Sequence, residues 1–175
     1  MSKLCIWRSW TAILNVHERI LPVPVEAVSP LLDSLAGDKD RLWPAEKWPP
    51  MILDFGLALG SRGGHSPIRY RVTEYIPGRR VEFEFDPMPH LRKFVGRHYF
   101  EVVPRTGHTI LRHTIDVEIN FSNWLYWKVF IEHIHDAVIE DAFDKAELHA
   151  GISCQHHSRW SFYVRFLRWL RSRRK

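Results

Sequence analysis

Between residues 64 and 85, apolar and polar positions alternate in two runs joined by Pro77-Gly78. Proline presets the first central position of a type II turn and glycine supplies the positive φ of the second, so the runs are expected to fold into a hairpin. Ile68, Tyr70 and Val72 point one way, as do Val81, Phe83 and Phe85, while Arg69, Arg71, Glu82 and Glu84 point the other. Alternation also marks Thr11–Ile20, with Leu14, Val16, Glu18 and Ile20 on one side and Asn15, His17 and Arg19 on the other. It marks Val95–Val103, which puts His98, Phe100 and Val102 together, and Thr109–Ile119, which groups Leu111, His113, Ile115, Val117 and Ile119. Ile52–Leu59 is a further short strand, and Ser61–Gly64 reads as the turn after it.

Helical spacing appears twice. Val25–Leu35 follows Pro22 and Pro24 and closes at Gly37. From Asn123 to His149 the stripe Trp127, Phe130, Ile131, Ile134, Val138, Ala142, Leu148 predicts one long amphipathic helix. Asp38–Met51, with Trp43, Trp48 and three prolines, has no regular period; it reads as an ordered loop or a second short helix, a candidate lid. The order predicts an α+β helix-grip: a curved antiparallel sheet of about six or seven strands wrapped around a long C-terminal helix, with one or two short helices after the first strand. Residues 1–150 form this domain and 151–175 a tail. The greasy face of such a sheet is expected to enclose a cavity under the helix.

The segment His17-Glu18-Arg19-Ile20-Leu21-Pro22-Val23-Pro24-Val25-Glu26-Ala27-Val28, the block Gly64–Phe85, the Leu111-Arg112-His113 strand and His135-Asp136-Ala137-Val138-Ile139-Glu140-Asp141-Ala142 resemble the SRPBCC superfamily, the START-like or birch-pollen-allergen-like helix-grip proteins. They look like a polyketide cyclase-like bacterial branch of unknown function. The resemblance covers roughly residues 11–150. It implies a deep hydrophobic cavity; superfamily members bind lipids, sterols, polyketides or plant hormones, and some act as cyclases or aromatases. Reaction type does not follow from the fold.

Composition changes this picture in two places. The net charge of +5 hides a tail of +7 on residues 151–175, which leaves the body slightly acidic. That distribution argues against a nucleic-acid-binding domain. In the tail, Trp160, Tyr163, Phe166, Leu167 and Leu170 share a helical face, with Arg165 and Arg168 opposite. Such a helix either lies on an anionic membrane surface or folds its apolar face back onto the domain or a second subunit. No apolar run spans a bilayer, and the Leu4–Trp7 patch is too short for a signal peptide, so the chain is expected in the cytoplasm, peripheral at a membrane if the tail binds one. Cys5 and Cys154 form no disulfide or zinc pattern.

For the chemistry, Tyr70, Phe83, Phe100 and Ile115 are expected as apolar wall, Trp127, Ile131 and Ile134 as helix roof, and His98 and His113 as polar anchors of a hydrophobic or aromatic small molecule. Glu18, His98, His113 and Asp141 fall on faces assigned to the interior. If the protein is an enzyme, they are the candidate acid/base groups of a cyclase or aromatase. Satisfied structural hydrogen bonds are the plainer explanation, and Lys145, one turn after Asp141, is its expected partner. A third reading is an interaction module with a filled cavity. No cofactor is expected. His133 and His135 lie some 200° apart on a helix, so no metal site is expected either. The Gly60–Gly64 loop opens no helix and reads as a hairpin turn rather than a phosphate cradle.

Overall fold

The structure is a computed structural model that describes residues 10–65, 67–88, 94–153 and 158–172. Cys5, Cys154, the Leu4–Trp7 patch and His156-His157 therefore lie outside the described residues. Seven strands form one antiparallel sheet in the order β1-β7-β6-β5-β4-β3-β2: β1 (Trp10–Leu21), β2 (Ile52–Leu53), β3 (Arg62–His65), β4 (Ile68–Ile76), β5 (Arg80–Phe85), β6 (Val95–Arg105) and β7 (His108–Asn120). One short helix, α1 (Val25–Asp33), follows β1. After β7 the chain runs through α2 (Phe121–Tyr126), a π-helical turn (Trp127–Ile131) and α3 (Glu132–His149) as one continuous helix. A last helix, α4 (Phe162–Ser172), lies in the tail. The helix-grip architecture is thus present, with one short helix after the first strand.

The predicted hairpin forms about Pro77-Gly78, where Gly78 takes φ 67° and Arg79 N–H donates to the Ile76 carbonyl at 2.9 Å. The turn is docked on α1: Asp33 accepts from Gly78 N–H at 2.6 Å and Ser29 Oγ donates to the Gly78 carbonyl at 2.8 Å. A bulge between Val72 and Glu74 then reverses the facing of β4, so that Tyr75, rather than Thr73 or Glu74, packs against the core. Gly63 and Gly64 are strand residues of β3, not a turn. Any Cβ would come within 1.9 Å of the Ile52 carbonyl at Gly63 and 2.0 Å of the Ile68 carbonyl at Gly64, so only glycine lets β2, β3 and β4 close.

Two other expectations differ. On β1 the facing is reversed: Leu14, Val16 and Ile20 are exposed, and Asn15, His17 and Arg19 turn toward α3. The cause lies on the helix, where Asp136, Glu140, Asp144 and Glu147 form a carboxylate stripe that crosses β1. Arg19 binds Glu140, Asp144 and Glu147 at 2.8, 3.2 and 2.7 Å, and burying these acids without cations would cost far more than exposing three aliphatic side chains. On the long helix, Phe130 and Leu148 of the predicted stripe are exposed, whereas Trp127, Val138 and Ala142 are buried. The π turn adds a residue to the cycle and shifts the helix phase on either side of it.

The segment 38–51 is an ordered strap without an α-helix. Asp40 accepts from the backbone N–H groups of Ala36, Leu42 and Trp43, and Leu42, Trp43, Trp48 and Met51 are buried.

Candidate functional site

The inward faces of β4, β5, β6 and β7 bury Tyr70, Phe83, Phe100 and Ile115, each no more than 4% exposed. Above them the long helix contributes Trp127, with Ile131 and Ile134 partly buried. The apolar interior divides into two clusters: a large one built from α1, the 38–51 strap, β4, β5 and α3, and a smaller one of Ile13, Phe94, Ile115, Val117, Ile119 and Trp127. A row of histidines runs beside the boundary. His65 Nδ1 lies 3.0 Å from the Tyr70 hydroxyl, and the Tyr70 ring is 4.8 Å from His98. His98 Nδ1 is 3.3 Å from His113 Nε2, the His113 and His135 rings are 5.0 Å apart, and His17 follows at 5.8 Å.

His98 and His113 are held by the strand pairing and by stacking. The ring of His98 stacks on Phe83 and Phe85 at 4.9 Å, and Phe100 packs on His113 at 4.5 Å. Burial pushes both pKa values well below the ordinary 6.5, helped by the neighbouring imidazoles, so both rings are neutral at pH 7. A neutral imidazole has one donor and one acceptor nitrogen. Whichever ring donates in the shared bond, the pair therefore presents one N–H and one bare nitrogen at its outer ends. Among the described residues, those outer atoms, His98 Nε2 and His113 Nδ1, have no partner. Neither do Trp127 Nε1 and His135 Nε2, which are also buried. Such atoms are rare in a folded interior, because each forfeits the hydration it had in the unfolded chain.

The two carboxylates named from the sequence sit elsewhere. Glu18 faces outward on the reversed β1 and pairs with Arg112. Asp141 is buried, but its partner is not Lys145, which instead reaches the Trp43 carbonyl and Glu46. Asp141 accepts from Lys47 Nζ at 2.7 Å, Trp48 Nε1 at 2.7 Å and Trp160 Nε1 at 2.8 Å. It ties the strap, the long helix and the tail together, and its oxygens are occupied.

The tail helix packs on the domain. Val164 and Leu167 are buried, Tyr163 donates to the Val129 carbonyl at 2.7 Å, and Arg168, expected on the polar face, lies 4.2 Å from the Trp48 ring and 4.0 Å from the Trp160 ring. Phe166 and Leu170 of the predicted apolar face are instead partly exposed, beside Phe162 and Trp169. An open groove of about 330 Å³ is lined by Pro49, Pro50, Ile52, Asp54 and Arg62 on the β2–β3 edge and includes none of the expected wall residues.

His17, His65 and His135 were not among the site residues named from the sequence. A complementary pattern could have found the first and last: carboxylates at 136, 140, 144 and 147 on one helix stripe, and Asn15, His17 and Arg19 alternating on β1.

No protein-family model matches the chain, and neither does any curated protein sequence. Solved structures do share its fold. An NMR structure from Thermobifida fusca, 16% identical, covers 83% of this chain and 99% of its own at a TM-score of 0.59. Norcoclaurine synthase from Thalictrum flavum, solved with dopamine and hydroxybenzaldehyde, is 11% identical and covers 84% of this chain and 91% of its own at 0.59. The di-domain aromatase/cyclase StfQ of the steffimycin pathway is 11% identical and covers 80% of this chain and 51% of its own at 0.59. At these identities the likeness is one of fold, and the chain has the helix-grip fold of proteins that include small-molecule enzymes.

Proposed function

We propose that the protein binds a small, mainly apolar or aromatic molecule between the sheet and the long helix, with His98 and His113 as polar anchors. The observation that carries this reading is the set of unpartnered buried polar atoms, His98 Nε2, His113 Nδ1 and Trp127 Nε1, set among aromatic and aliphatic side chains. Apolar walls supply affinity and a few polar groups set orientation. A ligand hydroxyl can donate to the bare nitrogen or accept from an N–H of this set, whereas a carbonyl oxygen can only accept from an N–H; the ligand-bound state of norcoclaurine synthase supports the reading by analogy of fold.

A second reading, small-molecule acid/base catalysis of the kind a cyclase performs, is favoured by the His98–His113 bond itself. A proton taken up at one outer nitrogen can be matched by one released at the other, through the shared bond. Glu18 and Asp141 have no part in that reading, since their oxygens serve Arg112 in one case and the Lys47, Trp48 and Trp160 donors in the other.

The test is a fluorescence titration with naphthalene and 2-naphthol against the native chain and a His98→Leu/His113→Leu variant. The native protein should prefer the naphthol by about tenfold or more, the value of one bond to an otherwise unpaired buried group. The variant should lose that preference and still bind naphthalene. Equal affinity of the native chain for both probes, or binding of neither, would overturn the anchoring role.

A further inference from the structure

The acidic end of the histidine row has its own geometry, independent of any ligand between sheet and helix. His17 on β1 and His135 and Asp136 on α3 bring three ligand atoms within 4.8 Å of one another. His17 Nε2 lies 3.0 Å from Asp136 Oδ1, and His135 Nδ1 lies 3.4 Å from the same oxygen. A tetrahedral ion with bonds of about 2.0–2.1 Å has ligand-to-ligand edges of roughly 3.3 Å, and the two observed spacings bracket that value. The set spans two elements, the second imidazole coming from a strand.

Two further contacts suit a metal. His17 Nδ1 is bonded to Glu140 at 3.1 Å, which orients the ring and raises the basicity of Nε2, as the outer carboxylate does behind metal-bound histidines. Asn15 Nδ2 donates to Asp136 Oδ1 at 3.2 Å, while Asn15 Oδ1 is buried and unpartnered among the described residues. A half-turn of that amide exchanges the two atoms and offers a fourth, oxygen donor.

We propose that His17, His135 and Asp136, with Asn15 as a supplementary ligand, bind one divalent transition ion of the zinc and cobalt class. Two imidazoles and a carboxylate suit such borderline ions, whereas calcium and magnesium require oxygen-rich sets. The ion replaces the proton that His17 shares with its two carboxylates, and it joins the first strand to the long helix. With three firm protein ligands, the site keeps a coordination position for water or another donor.

Cobalt(II) is the probe, because its visible absorption reports coordination number as well as binding. The full chain is titrated at about pH 8, where imidazoles yield their protons to a metal. It is compared with a His156→Gln/His157→Gln form, which removes the adjacent tail histidines as a competing site. One cobalt per chain with the intense bands of four- or five-coordination is expected in both forms, displaced by one zinc. His17→Gln and Asp136→Asn, made in the tail-substituted form and checked for folding by circular dichroism, should abolish the bands. Glu140→Gln, which leaves every ligand in place, should weaken binding by about 10–100-fold. His133→Gln, on another face of the helix, should change nothing. Absence of saturable cobalt binding, weak six-coordinate spectra, or bands that survive in folded His17→Gln would show the cluster to be an ion-pair network only.

Discussion

Replacing Asp141 by alanine removes the acceptor of three donors at once: Lys47 Nζ, Trp48 Nε1 and Trp160 Nε1. The three lost bonds do not count equally. Lys47 is 44% exposed on its side chain and regains water, so its share is discounted toward that of a surface pair. Trp48 is buried, and its indole N–H is left without an acceptor, at a cost of about 1–3 kcal/mol. Trp160 is half-buried and loses a charge-assisted bond together with its edge contact to Trp48 at 5.4 Å. The expected total is about 3–5 kcal/mol, in line with the removal of one partner from a buried charged group. That is a large part of a typical domain's 5–15 kcal/mol or so. Urea unfolding should show the midpoint falling sharply, and limited proteolysis should cut the tail before the body. Asp141→Asn, which keeps one acceptor oxygen, should lose less. A change under about 1 kcal/mol for Asp141→Ala would refute the clamp and return Asp141 to the list of groups kept for chemistry.

Stability should fall on mild acidification. His98 and His113 have folded pKa values well below 6.5, so above that pH neither state protonates them and they contribute no pH dependence; below it the unfolded chain takes up protons that the folded chain refuses. The limit is about 1.4 kcal/mol per pH unit for each ring, so the drop from pH 7 to pH 5 is at most about 4 kcal/mol. His17, held up to about 9 by Asp136 and Glu140 despite the burial that opposes its charge, works the other way: its contribution becomes complete only as the unfolded imidazole protonates through about 6.5, which offsets less than about 1 kcal/mol of the drop. Chemical unfolding at the two pH values should show most of the drop missing in His98→Leu/His113→Leu; an equal drop in both proteins would contradict neutral burial. Gly78→Ala should cost about 1–2 kcal/mol by thermal melting, because its φ is positive and a Cβ would meet Ser29 Cβ at 2.8 Å; an unchanged melt would mean that the turn is not docked on α1.

The sheet was legible in the sequence wherever one face is apolar and the other charged. Tyr70, Phe83, Phe100 and Ile115 alternate against Arg71, Glu84 and Glu101, and burial alone fixes their register. The rule failed on β1 because its inner neighbour is a row of carboxylates rather than an oily surface, so polarity complementarity decides which face turns inward. It failed again at Phe130, where the π turn breaks the uniform helical period. Of the candidate site, His98 and His113 were visible because they stand on strongly alternating strands. His17 and His135 were not, because their meeting joins residues 118 positions apart, and only the folded pairing of β1 with α3 brings them together. The outcome for Asp141 was hidden for a related reason: three partners on two distant segments outcompete the lysine one turn away.

Under the proposed function, the space between sheet and long helix holds a small molecule oriented by the buried histidines. Native mass spectrometry of the full chain, purified without detergent and then offered 2-naphthol in excess, tests it most directly. A one-to-one complex, with either a retained molecule or the naphthol, is expected, and it should be absent or much reduced in folded His98→Leu/His113→Leu. A spectrum of the bare chain alone under both conditions would contradict it.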